Sequence, residues 1–169
     1  MWRYIGTVLF LFFIGVAVAS TDHEMRVIAK LESSSGKNLN HPVVKTGMHK
    51  GHQAAGRYGL MPLTIKDIVD RSPTLKTKYG YLLDLAPSEI TEEINRDGEL
   101  DKTLATHLWT KLRKTRCPNT AAFAWYHGPH ASVKNMKLSP YVIKFTKEME
   151  RIKDENAFKR TRPVPIPAS

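Results

Sequence analysis

The chain has 169 residues, a length that suits one domain with a single core. Its formal net charge of +10 suits a polyanion or an anionic surface, nucleic acid and cell wall among them, and charge alone does not choose between these. The single cysteine, Cys117, excludes an internal disulfide and reads as a small buried hydrophobe rather than a nucleophile.

Residues 1–19 read as a targeting segment. Arg3 supplies a short basic start, Ile5 to Val18 is an apolar run, and Ala17-Val18-Ala19 is a cleavage site before Ser20. The run is short for a membrane span, so the expectation is cleavage, with an uncleaved anchor as the alternative. Either way the domain is expected outside the cytoplasm, periplasmic or secreted, and membrane contact is expected only through an uncleaved segment. Export argues against a nucleic-acid partner, and no zinc-finger or RRM-type pattern is visible.

Thr21-Asp22-His23-Glu24 has the form of a capping box, and Val27, Ile28 and Leu31 then make a core-facing helical stripe. Glu32 falls in the last turn of that helix, with Gly36 available as the break. A carboxylate there meets the negative end of the helix dipole and apolar walls, and both raise its pKa. A carboxyl kept protonated near neutrality is what general-acid catalysis needs. A solvated surface glutamate fits the same local spacing.

Lys37 to Tyr58 is rich in Lys, His, Gly and Asn and reads as a long irregular loop, of the kind that is functional or mobile in a compact domain. The chain has seven histidines, among them the pairs His49-x-x-His52 and His127-x-x-His130, but neither pair has a carboxylate or cysteine at ligand spacing. No metal and no cofactor is expected, and the loop reads as a basic, hydrogen-bonding lining of a groove.

Thr64-Ile65-Lys66-Asp67 opens a second helix on the stripe Ile65, Ile68, Val69. Thr74 to Leu85 reads as a helix bent near Gly80, and Ser88 to Ile94 as a short helix ending at Gly98. Glu99 to Lys114 is the clearest helix, with Leu100, Leu104, His107, Leu108 and Leu112 on one face. Pro118-Asn119 introduces a tightly packed helix through Trp125 and Tyr126 that Gly128-Pro129 terminates. Ser139-Pro140 opens the last helix, on Tyr141, Val142, Phe145, Met149 and Ile152. Residues 159–169 read as a flexible Pro-rich tail. No strand pair is convincing, and the class is mostly α.

Three stretches in this order resemble the lysozyme-like soluble lytic transglycosylase family. Leu31-Glu32-Ser33-Ser34 is similar to its Glu-Ser helix end, Gly56-Arg57-Tyr58-Gly59-Leu60-Met61-Pro62 to its Gly-Leu-Met-Gln turn, and Ala124-Trp125-Tyr126-His127-Gly128-Pro129 to its Ala-Tyr-Asn-Ala-Gly-Pro helix end. Ser139-Pro140-Tyr141-Val142 resembles the family's later Tyr-Val element. The resemblance implies a lysozyme-like, goose-type helical domain over 20–158, with the long irregular loop following the catalytic helix. It implies a monomer acting on peptidoglycan glycan strands. Glu32 would protonate the oxygen linking N-acetylmuramic acid to N-acetylglucosamine and then take a proton from the C6 hydroxyl, leaving a 1,6-anhydro product. A two-carboxylate lysozyme would need a partner carboxyl at about 5 Å if retaining, or further if inverting. Asp67, Asp70 and Asp84 lie in no recognisable motif.

Tyr126 is the aromatic expected to reach Glu32. Strict alignment from Gly128-Pro129 instead places Trp125 on the motif tyrosine, and a one-residue slip places Tyr126 there and His127 on the asparagine. Ser33 and Ser34 are expected to bond the sugar or orient Glu32, with helix capping as their plain structural use. Gly59, Leu60 and Met61 are expected to bring backbone to the glycan, glycine permitting the approach, and Trp125, His127 and Tyr141 to line the site. Pro62 replaces the family's Gln and no asparagine stands near Gly128. These departures point to a specialised wall glycan, a hydrolytic outcome, or a wall-binding module that keeps the fold without catalysis.

Overall fold

The computed structural model describes residues 21–161, with side chains described as far as 155 except at 135. The expected export segment at 1–19 and the tail from 162 onward lie outside the described residues.

Within them the molecule is mostly α-helical. Helix α1 occupies 21–33. After the long loop come α2 (Pro62–Arg71), α3 (Pro73–Tyr79) with a 3-10 turn at Gly80–Leu83, α4 (Pro87–Arg96), α5 (Gly98–Arg113) and α6 (Pro118–His127). A second 3-10 turn, Val133–Leu138, leads into α7 (Pro140–Thr161), which continues past the boundary expected at 158. The pairings seen outside helices are two isolated bridges, Val43 with Gln53 and Ala55 with Leu60. No helix among the described residues is long and apolar enough to cross a membrane.

Proline opens α2, α3, α4, α6 and α7. Its fixed φ suits a first helical turn, where its missing N–H would have had no partner anyway. This moves the start of α2 from the expected Thr64 to Pro62, with Met61 as a cap that makes no side-chain bond. Gly98 does not end α4. Asp97 is the joint, closing α4 and capping α5 by accepting from the N–H groups of Glu99 and Leu100, both at 3.0 Å.

Val27 and Ile28 of α1 are fully buried among Ile65, Val69, Leu82, Ile90, Leu104 and Phe145. The face of α5 differs from the expected one. Trp109, with no exposed surface, is its central residue, while His107 and Leu108 lie at the margin, half-buried. Trp109 meets Trp125 edge-on at 6.0 Å and Phe145 at 5.9 Å, joining α5, α6 and α7. Its indole N–H donates to Glu24 Oε2 at 2.7 Å, and Arg113 Nε approaches the same oxygen at 3.2 Å. Glu24 is therefore a buried anchor between α1 and α5, and Thr21 is already helical. Lys30 pairs with Glu148 at 2.6 Å and ties α1 to α7. Cys117 is exposed, contrary to expectation. It sits at the cap of α6, where Pro118 starts the helix, and its Sγ lies 3.1 Å from Thr120 Oγ1.

Candidate functional site

Helix α1 ends one residue after Glu32, and it ends abruptly. Ser34, Ser35 and Gly36 all take positive φ, at 53°, 65° and 87°. Ser35 N–H reaches back to Ala29 C=O at 2.9 Å and Ser34 N–H to Lys30 C=O at 3.1 Å, which satisfies the last carbonyls. Left-handed geometry costs an L-residue on the order of 1–2 kcal/mol, so the strain of two serines is concentrated directly behind the carboxylate.

The turn from Ala55 to Leu60 lies over Glu32. Its ends are paired by Ala55 N–H to Leu60 C=O at 2.8 Å and Leu60 N–H to Ala55 C=O at 2.9 Å. Within it Gly59 has φ 65°, and a β-carbon placed there would lie 2.7 Å from Glu32 Oε2. No other residue type fits, because the backbone of the turn is itself a wall of the carboxyl's pocket. Leu60, expected at the glycan, is instead 2% exposed with both backbone groups committed to Ala55. Met61 is half-buried at the start of α2, and Pro62 is buried behind it.

Two aromatic side chains also reach Glu32: Trp125, near the end of α6, and Tyr141, in the first turn of α7. Both act as neutral donors that favour the charged carboxylate, but burial outweighs them and pushes the Glu32 pKa up to about 7. Among the described residues no cation pairs with it. Tyr141 is 8% exposed, and its hydroxyl has no partner at full hydrogen-bond geometry. Burial and the neighbouring Glu32 hold the phenol well above its ordinary pKa, so it stays a donor. Glu32 keeps partial solvent access.

The role expected of Tyr126 thus falls to Trp125 and Tyr141. Successive helical residues point about 100° apart, so when Trp125 turns toward Glu32, Tyr126 turns outward. Tyr126 is 58% exposed and stacks on Tyr141 at 4.7 Å with an 18° interplanar angle. His127 is exposed, packs on Phe123 at 4.4 Å and faces Ser139 Oγ at 3.2 Å. Ser33 is 2% exposed. Its hydroxyl donates to Arg57 C=O at 2.7 Å and accepts from Gly36 N–H at 2.8 Å, so it fastens the turn to α1. Ser34 is exposed at the rim.

A second buried carboxyl, Asp101 in the first turn of α5, escaped the sequence reading. It is 2% exposed, accepts Arg57 N–H at 2.6 Å, and is also pushed up to about 7 by burial. The signal for it lay in the periodicity: Asp101 shares a helix face with Leu104 and Ala105, where a charged residue needs a partner. Asp67 and Asp70 are exposed and paired with Arg71 and Lys76, and Asp84 is exposed.

In the long loop, His41 is buried with Nε2 2.8 Å from Gly56 C=O. Burial and the nearby His52 lower the pKa of His49. Among the described residues no three His, Cys, Asp or Glu side chains converge as a metal site would require.

What the geometry offers is one partly accessible carboxyl that still holds its proton about half the time at pH 7, with two neutral donors ready to stabilise its anion. Comparison with family models, with curated proteins and with solved structures finds no match to this chain.

Proposed function

We propose that this protein is an exported enzyme that cleaves peptidoglycan glycan strands at the bond between N-acetylmuramic acid and N-acetylglucosamine. Its helical frame is read as lysozyme-like, of the goose-type and transglycosylase kind. The observation that carries the proposal is the setting of Glu32: a carboxyl at a helix C-terminus, walled by Gly59 and flanked by Trp125 and Tyr141, with a pKa of about 7.

In the proposed reaction the neutral Glu32 carboxyl gives its proton to the glycosidic oxygen as the bond to the muramoyl C1 breaks. The resulting carboxylate accepts hydrogen bonds from Trp125 and Tyr141. It then takes the proton of the C6 hydroxyl while that oxygen bonds to C1, which returns Glu32 to its neutral form without water. One group serves as acid and then base, and a pKa near the working pH suits both steps. Asp101 supports the single-carboxyl version, because it is buried and already bonded to backbone.

Pro62 favours a specialised glycan or a hydrolytic product. Where the resembled family has an amide side chain, this chain has a buried helix-opening residue with nothing to offer a sugar. Product masses separate the two outcomes: anhydromuramic ends for transglycosylation, ends carrying one added water for hydrolysis.

The test of cleavage itself is a peptidoglycan zymogram with wild type and Glu32→Gln. Wild type is expected to clear, and the variant to lose about three orders of magnitude of activity. Clearing by neither contradicts the proposal and leaves a wall-binding module, and equal clearing by both removes Glu32 from the reaction.

A further inference from the structure

The backbone of Gly56 and Arg57 is held in an unusual way, by side chains from four separate parts of the chain. Gly56 N–H donates to Asn95 Oδ1 of α4 at 2.7 Å, and Gly56 C=O lies 2.8 Å from His41 Nε2 of the loop. Arg57 N–H donates to Asp101 Oδ2 of α5 at 2.6 Å, and Arg57 C=O accepts from Ser33 Oγ of α1 at 2.7 Å. Backbone groups of a surface turn are ordinarily left to water, and here every one of two successive residues is taken by protein.

Asp101 is the least expected of the four. It does not cap α5, since Asp97 does that. It is 2% exposed; the backbone of Tyr58 beside Arg57 also favours its anion, yet its Oδ1 makes no hydrogen bond of full geometry. A β-carbon on Gly56 would lie 2.4 Å from that same Oδ1, so glycine at 56 is what lets the carboxyl come this close. Two glycines of one turn therefore each press against a carboxyl, Gly56 on Asp101 and Gly59 on Glu32. A buried acid with no cation beside its inner oxygen is a poor choice for packing alone, where an apolar residue of similar size would be more stable.

We propose that Asp101 is a positioning residue for Glu32: by holding Arg57 N–H it fixes the turn whose Gly59 backbone covers the Glu32 carboxyl. The catalytic consequence rests on the cleavage reading above, while the positioning itself does not. Releasing Arg57 N–H lets the turn lift, water reaches Glu32, and the burial that keeps it neutral is lost.

The test uses the full chain labelled with carboxyl-13C glutamate, with Glu32 assigned through Glu32→Gln. In Asp101→Ala the Glu32 titration midpoint is expected to fall by about one pH unit. On solubilised peptidoglycan, kcat is expected to fall about tenfold or more while KM stays within about twofold. Asp101→Asn, which keeps an oxygen for Arg57 N–H, should restore both. A folded Asp101→Ala with an unchanged Glu32 midpoint overturns the proposal. Should Asp101→Ala fail to fold, the exposed Asn95→Ala carries the same test with a smaller downward shift, and no shift there is equally fatal. If wild type does not digest peptidoglycan, the cleavage reading fails while the midpoint still decides the positioning role.

Discussion

Helix α1 carries one carboxylate at each end of its buried stripe, Glu24 and Glu32, roughly two turns apart. Glu24 is the more deeply buried of the two, at 2% exposure, yet it is matched by the Arg113 guanidinium and the Trp109 indole N–H. Among the described residues Glu32, which retains contact with solvent, meets only neutral donors, Trp125 and Tyr141, beneath the backbone of Gly59. Burial depth therefore does not separate the structural carboxylate from the one proposed to react. The partner does: a cation beside Glu24 compensates its charge, and among the described residues none stands beside Glu32, whose proton affinity rises toward neutrality.

Breaking the first half of that contrast should have the largest effect. Glu24→Ala strips Arg113 and the Trp109 N–H of their common acceptor inside the core. A loss of about 2–4 kcal/mol in urea unfolding is expected, with cleavage per folded molecule unchanged. If cleavage per folded molecule fell too, Glu24 would belong to the site.

Tyr141→Phe sharpens the second half by removing a donor that favours the ionised Glu32. The Glu32 midpoint should rise by about half a unit, and kcat should fall about tenfold at constant pH. A midpoint that moved downward would mean that the phenol excludes water more than it stabilises charge.

The smallest effect carries the clearest sign. The folded pKa of Glu32 is raised, so its neutral form costs nothing below the ordinary carboxyl range. Stability is lost as pH rises through about 7, and Asp101 acts in the same sense. Glu32→Gln should therefore raise Tm by about 3 °C at pH 8, with the gain shrinking as pH falls and vanishing below about pH 4. A Tm gain independent of pH would show that Glu32 ionisation does not burden the fold.

Much of this arrangement was legible before any coordinates. Helix starts could be read because proline at a first turn leaves a local signature, and Glu32, Gly59, Trp125 and Tyr141 stood out through the family resemblance. What escaped depended on contacts between distant segments. Glu24 has the local form of a cap, and only Trp109, 85 positions away, turns it into an anchor. Asp101 looks like an acidic residue complementing the dipole of α5 until the Gly56 turn is placed against it. Its apolar neighbours at i+3 and i+4 were the available warning, and the same pattern of Val27 and Ile28 follows Glu24. The hydroxyl of Tyr126 makes it the natural candidate, but helical rotation gives the inward direction to Trp125.

The protonation state of Glu32 near neutrality is the point on which the proposed chemistry turns. Carbon-13 titration of the glutamate carboxyls, with the Glu32 resonance identified by its disappearance in Glu32→Gln, reads that state without reference to any substrate. A midpoint near 7 is expected. A midpoint in the ordinary glutamate range, about 4.3, would mean an ionised carboxylate at working pH and would remove the acid from the reaction.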